Sequence, residues 1–315
     1  MSFASKHSKA TKISIFSAIV VFAGLALAFS FFFQGQRKEI SPESNNATAD
    51  ETSYKQEEKE KAEKEQKKEE ATVDIPKATQ KSSENYMNLY PDLYVEKPDK
   101  QVIPNKTIFL TFDDGPSERT KEVLDILKKK DIKATFFVVG NASAEGKALM
   151  KQIVEEGHTI APHSYTHEFK KIYSSVESFL DDFYKIYKLI YDTTGQKPSI
   201  FRFAGGSKNS YNKNNYKEII AEMLRRGFFY YDWNLSTGDA AQKALTPVDK
   251  CLSNVLNYSA KYNSAVILMH DAKPKTTTVQ ALPQLIDRLK DQGFSFDRLT
   301  NEISPTNYSL IKPYA

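Results

Sequence analysis

Thr107-Ile108-Phe109-Leu110-Thr111-Phe112-Asp113-Asp114-Gly115-Pro116 begins as β-branched and aromatic sequence and runs directly into two adjacent carboxylates and a turn. Residues of the first kind suit a pleated, buried strand. Asp, Gly and Pro suit the turn that ends it. A turn alone could account for the last four residues. Two like charges at the end of an apolar run ask for a further reason, because each makes the other harder to ionise.

Further apolar runs lie at 134–139, 158–162, 199–203, 228–233, 265–269 and, most weakly, 294–299. Between them come amphipathic stretches at 120–130, 144–156, 174–193, 214–226, 247–262 and 277–291. Ser117 is placed to cap the first of these helices. About seven strand-like runs alternating with helices predict an α/β fold on a parallel sheet, open or closed into a barrel.

In such folds the strand C-termini converge on one face, where sites are built. The residues found there are Asp113 and Asp114, His163 and His167, Arg202 with Gly205 and Gly206, Asp232 with Trp233, and His270 with Asp271. Each has a plainer reading. The histidine pair could sit on a surface turn, and Arg202 and Asp232 could be surface ion-pair partners. His158 opens its run after Gly157 and is expected to be structural. Taken together, the residues suit metal chemistry. Two neutral imidazoles and one carboxylate make a three-ligand site with open positions, suited to zinc or another divalent transition metal. The second carboxylate then remains free as a base. His270 could serve as acid, with Asp232 orienting it and Arg202 keeping the base ionised.

These residues resemble the polysaccharide deacetylases of carbohydrate esterase family four over about 107–303, with all five family motifs in order. TFDDG at 111–115 and HSYTH at 163–167 are the most specific. The resemblance implies a distorted (β/α) barrel and a metal-dependent N-deacetylase. It implies Asp114, His163 and His167 as ligands of zinc, with cobalt, nickel or manganese as alternatives. It implies Asp113 as general base, held by Arg202, and His270 as general acid, tuned by Asp232. Trp233 and Leu268 are similar to the apolar walls that receive the acetyl methyl group, and Phe203, Ala204 and Gly205 fall at the substrate groove. One departure is Ala204, where the third motif usually has proline, leaving the groove floor without a fixed φ.

The rest of the 315-residue chain divides by composition. Residues 13–33 carry no charge and no proline, with Lys6, Lys9 and Lys12 before them and Arg37 and Lys38 after. At about 1.5 Å per residue such a run crosses a bilayer. The flanking charges put residues 1–12 in the cytoplasm and the remainder outside. The alternative is a signal peptide cleaved near Ala26-Leu27-Ala28, followed by secretion. Residues 34–85, rich in Lys and Glu, cannot bury enough apolar surface to fold and are expected to form a disordered stalk. The catalytic domain is expected at 86–315, with its core at 105–303. The net charge of +4 is not gathered into a basic stripe, which argues against a nucleic-acid partner. Cys251 is the sole cysteine, so no intrachain disulfide forms. A monomer acting on an extracellular cell-wall glycan is the expected assembly. The preferred substrate is peptidoglycan N-acetylglucosamine. Alternatives are N-acetylmuramic acid, chitooligosaccharides, or binding without turnover.

Overall fold

The computed structural model describes residues 86–240 and 244–305. The expected cytoplasmic segment 1–12, the membrane anchor 13–33 and the stalk 34–85 lie outside the described residues. Among the described residues, no helix is long and apolar enough to cross a membrane.

Strand β1 (Thr107–Asp113) is buried along its whole length and forms the spine of the sheet. It is followed by α1 (Glu118–Lys130), β2 (Thr135–Val139), α2 (Ala144–Glu155) and β3 (Thr159–Ser164). Next come α3 (Phe169–Ile172), α4 (Val176–Thr194), β4 (Ile200–Phe201), α5 (Tyr216–Arg225), β5 (Phe229–Tyr230) and β6 (Leu235–Ser236). The described chain finishes with α6 (Val248–Ser259), β7 (Ser264–His270), α7 (Thr276–Asp291) and β8 (Ser295–Asp297). Ser117 caps α1 by accepting the Arg119 N–H, and the Thr120 hydroxyl accepts the Ser117 N–H in return.

Every pairing between these strands is parallel. The strands form two sheets. One has the order β3-β2-β1-β7-β6, with β8 also on β1, and the other is β4-β5. The Arg202 N–H reaches the Pro162 carbonyl at 3.1 Å and links the end of β4 to β3. Among the described residues eight strands form these two parallel sheets, against about seven expected, and the parallel α/β arrangement is consistent with the expected distorted barrel.

Alternation along β1 sets its two faces. Ile108, Leu110 and Phe112 meet Val123, Leu124 and Leu127 of α1 and Leu282, Leu285 and Ile286 of α7 in one large core. Phe109 faces the other way, into a smaller cluster with Phe137, Tyr231, Val266 and Leu299. Thr111 and Asp113 share that inner face, so Asp113 stands at its C-terminal end. On β7 the same rule places Leu268 and His270 with Val266.

A third, aromatic core packs α4 and α5 over the small sheet through Phe179, Phe183, Phe201, Phe203, Phe228 and Tyr230. The N-terminal arm is fastened here by Arg226. Its buried guanidinium pairs with buried Glu222 at 2.6 Å and donates to the carbonyls of Tyr86, Leu89 and Tyr90.

Candidate active site

Asp114 follows β1 in a left-handed conformation at φ 73°, which swings its carboxylate away from that of Asp113. Its Oδ1 lies 3.5 Å from Nε2 of His163 and 3.2 Å from Nε2 of His167. Ligand atoms of the three residues all fall within 4.8 Å of one another. His163 Nδ1 donates to the Arg202 carbonyl at 3.0 Å, so its Nε2 lone pair faces the site. Burial, joined by the nearby His167 and Arg202, takes His163 down to about 3, against the opposing pull of Asp114. The imidazole is therefore neutral at ordinary pH, and its approach to Asp114 is not an ion pair. Asp114 Oδ1 is buried with no hydrogen-bond partner. An acceptor without a donor, facing the Nε2 atoms of two imidazoles, fits a divalent cation with open coordination positions.

The histidine loop is fixed from outside by Asp182 on α4. This buried carboxylate accepts from the Ser164 hydroxyl (2.7 Å), the Tyr165 N–H (2.8 Å), the Thr166 N–H (2.9 Å) and the Thr166 hydroxyl (2.7 Å). Ser164 Oγ in turn accepts the His167 N–H at 2.8 Å, and His167 takes a left-handed φ of 56°.

Asp113 is buried beside the triad, with Oδ1 accepting from Arg202 Nη1 at 2.9 Å and Oδ2 3.9 Å from His163 Nε2. Burial raises its pKa above the ordinary carboxylate value, although Arg202 and His270 pull the other way. Arg202 is wholly buried and cannot swing. It donates to the Tyr231 carbonyl, the Thr111 hydroxyl and the Asp232 carbonyl, and its plane lies 4.3 Å from the Phe137 ring centre.

His270 ends β7, and its partner differs from the one expected. Nδ1 of His270 donates to Oδ1 of Asp239 at 2.8 Å, while Oδ2 of Asp239 accepts the His270 backbone N–H and the Thr278 hydroxyl. Asp232 instead accepts the N–H and hydroxyl of Ser207, at 2.9 and 2.5 Å. The reason is topological. Asp232 follows β5, whereas the neighbour of β7 is β6, so the loop after β6 is the one that reaches His270. Burial opposes charge on His270, but the Asp239 contact and the charges of Asp113 and Asp114 outweigh it and raise its pKa. Asp239 is held below the ordinary carboxylate value. Burial opposes this, and the bonds from His270 and Thr278 overcome it.

The expected groove residues divide. Trp233 is half-buried and Gly205 exposed, but Phe203 and Ala204 are each only 1% exposed. The Phe203 ring packs against Phe179 and Tyr230, so its side chain serves the core rather than a sugar. Leu268 lies on β7 at 5% exposure. His158 has its own place in the opposite half of the sheet. Its Nδ1 accepts the Ala134 N–H, and burial lowers it to about 4. A cavity of about 340 Å³ beside it, lined also by Ser199 and Arg298, belongs to the N-terminal ends of the strands and not to the triad.

The matches to known proteins agree with this geometry. Residues 100–224 match the family model described as polysaccharide deacetylase. The Bacillus subtilis protein YheN, named for the same family, is 35% identical over 231 residues, covering 72% of this chain and 79% of its own. A peptidoglycan-N-acetylglucosamine deacetylase of Bacillus cereus is 34% identical over 208 residues, covering 64% of this chain and 73% of its own. The catalytic domain of the Eubacterium rectale peptidoglycan N-acetylglucosamine deacetylase superposes with a TM-score of 0.63 at 34% identity. It covers 67% of this chain and 97% of that domain. The chain belongs to the polysaccharide deacetylase family and is an enzyme of that hydrolase class.

Proposed function

We propose that this enzyme hydrolyses the N-acetyl group of peptidoglycan N-acetylglucosamine outside the cell, using a divalent metal held by Asp114, His163 and His167. The observation that carries the reading is a desolvated carboxylate and a protonatable imidazole, Asp113 and His270, on adjoining strands beside a triad with a bare buried acceptor. The relatives named for that sugar support the choice of substrate.

A divalent ion at the triad supplies Lewis acidity, making water a better nucleophile and the acyl carbon a better electrophile. Asp113 takes the proton of the attacking water. Arg202 occupies its Oδ1 and leaves Oδ2 on the side of the triad. His270 gives a proton to the leaving nitrogen from Nε2, because Nδ1 is committed to Asp239. A C–O bond forms, the C–N bond breaks, and acetate and a free amine leave. Zinc suits two imidazoles and one carboxylate, with cobalt, nickel and manganese as alternatives. The uncharged run 13–33 and the stalk 34–85 support a single-pass anchor with the domain outside, where the glycan is. We take the protein to act as a monomer.

Mass spectrometry of muropeptides after incubation with the full chain in detergent, with each metal restored after chelation, tests the reading. A loss of one acetyl group from the glucosamine, absent with Asp113→Asn, is the expected result. No metal-dependent acetate release from peptidoglycan or chitooligosaccharides would overturn it.

A further inference from the structure

Gly205 and Gly206 follow the buried turn Phe203–Ala204 at φ values of 77° and 86°, a region that L side chains rarely adopt. Their bare Cα atoms face aromatic rings on two sides. A Cβ on Gly205 would meet the Phe169 ring at 3.4 Å, and one on Gly206 would meet the Trp233 ring at 3.4 Å. The backbone here is thus a strip between Trp233 and Phe169.

The Phe169 side of this strip continues into a second ring. Phe169 stands edge to face with His167, ring centres 5.0 Å apart, and on the way outward it meets Tyr211 at 5.3 Å with the planes 60° apart, while Tyr173 lies 6.4 Å away. Tyr211 is 46% exposed, and its hydroxyl makes no hydrogen bond among the described residues. An aromatic side chain left this open contributes little to the core. Its backbone is nevertheless fixed with care. Asn209 Oδ1 accepts the Tyr211 and Asn212 N–H groups, and Asn209 Nδ2 donates to the carbonyls of Ala204 and Gly206. Asn212 closes the loop by accepting the Asn209 N–H and donating to the Ser207 carbonyl. A loop ordered by its own amides presents Tyr211 at little further entropic cost on binding.

We propose that Phe169 and Tyr211 form a subsite for a pyranose ring adjacent to the sugar that is deacetylated, and that Tyr211 makes the enzyme prefer chains over single sugars. The proposal rests on the glycan reading above. A pyranose presents an apolar face of C–H groups and a polar rim, the match for an aromatic face with a free phenol at its tip. The His167–Phe169–Tyr211 row leads away from the triad, so the ring it receives is a neighbour along the chain and not the reacting one.

The test uses the full chain in detergent with metal restored, with N-acetylglucosamine and its β-1,4-linked tetramer as substrates, and measures acetate release and tetramer binding by calorimetry. The kcat/KM advantage of the tetramer over the monomer should fall about tenfold in Tyr211→Ala, as should tetramer affinity, and Tyr211→Trp should restore both. An unchanged advantage and an unchanged Kd in Tyr211→Ala would overturn the subsite. If the wild type binds the tetramer through Tyr211 but releases no acetate, the subsite stands and the assigned reaction falls.

Discussion

Asp113 and His270 occupy the same rung of the β1–β7 ladder, so a carboxylate and an imidazole end neighbouring parallel strands at one level. Their separation is set by backbone hydrogen bonding and not by a loop. Sites carried on strands hold their geometry better than sites carried on loops.

Removing either member of this pair should cost rate rather than substrate binding. Asp113→Asn and His270→Ala are each expected to lower kcat by about 10²–10⁴. The double variant should lose much less than the product of the two, because the residues act in one reaction. Steady-state acetate release decides this, and multiplicative losses would show that they work independently.

The pH profile separates Asp239 from Asp232. His270 must be protonated to act as acid, and its pKa is raised, so activity should persist above the ordinary imidazole value of 6.5 and fall as pH climbs through the raised one. In Asp239→Asn the alkaline limb should move to lower pH. In Asp232→Asn it should stay where it is, since that carboxylate binds Ser207. The opposite pattern would return the tuning role to Asp232.

Asp182 touches no substrate, yet Asp182→Asn should weaken metal binding. An amide cannot accept the four hydrogen bonds that two carboxylate oxygens take from Ser164, Tyr165 and Thr166. Partners of this outer kind typically matter about 10–100-fold in affinity. Competition against a chromophoric chelator measures it, with Asp182→Glu expected to recover part of the loss. Equal affinities for wild type and Asp182→Asn would dismiss the role.

Arg226→Met should destabilise the domain by about 1.5–3 kcal/mol, because it removes one of the two guanidinium partners of buried Glu222, leaving Arg225 on that carboxylate, and frees three carbonyls of the N-terminal arm. Adding Glu222→Leu should recover little of that, because Arg225 then loses its carboxylate partner as well. Urea unfolding followed by circular dichroism gives both numbers. A loss below about 1 kcal/mol in the single variant would mean that the clamp is idle.

Much of this fold was legible because its long strands are buried on both faces and read as unbroken apolar runs. Strands β1, β2, β3 and β7 fall within a residue or two of expectation. The small sheet was less so. Phe203 belongs to an apolar run, yet its ring enters the aromatic core and the ladder stops at Phe201. Strand β6, with only Leu235 and Ser236, is too short to show any alternation. Asp239 was hidden for the same reason. It follows no apolar run, and its one local mark is Gly238, which turns the chain at φ 75°. The short helix that carries Phe169, and the buried Asp182 within an otherwise ordinary amphipathic helix, gave no periodic signal at all. Spacing along the chain displays what a strand end offers, but not which strand lies beside it.

The asparagine-laced loop between Ser207 and Asn212 closes its hydrogen bonds chiefly on itself and on the turn at Ala204–Gly206. It behaves as a cassette, a self-supporting insert set beside a fixed reaction frame. Exchanging it between relatives would move glycan preference from one backbone to another, with the strand-borne chemistry travelling untouched.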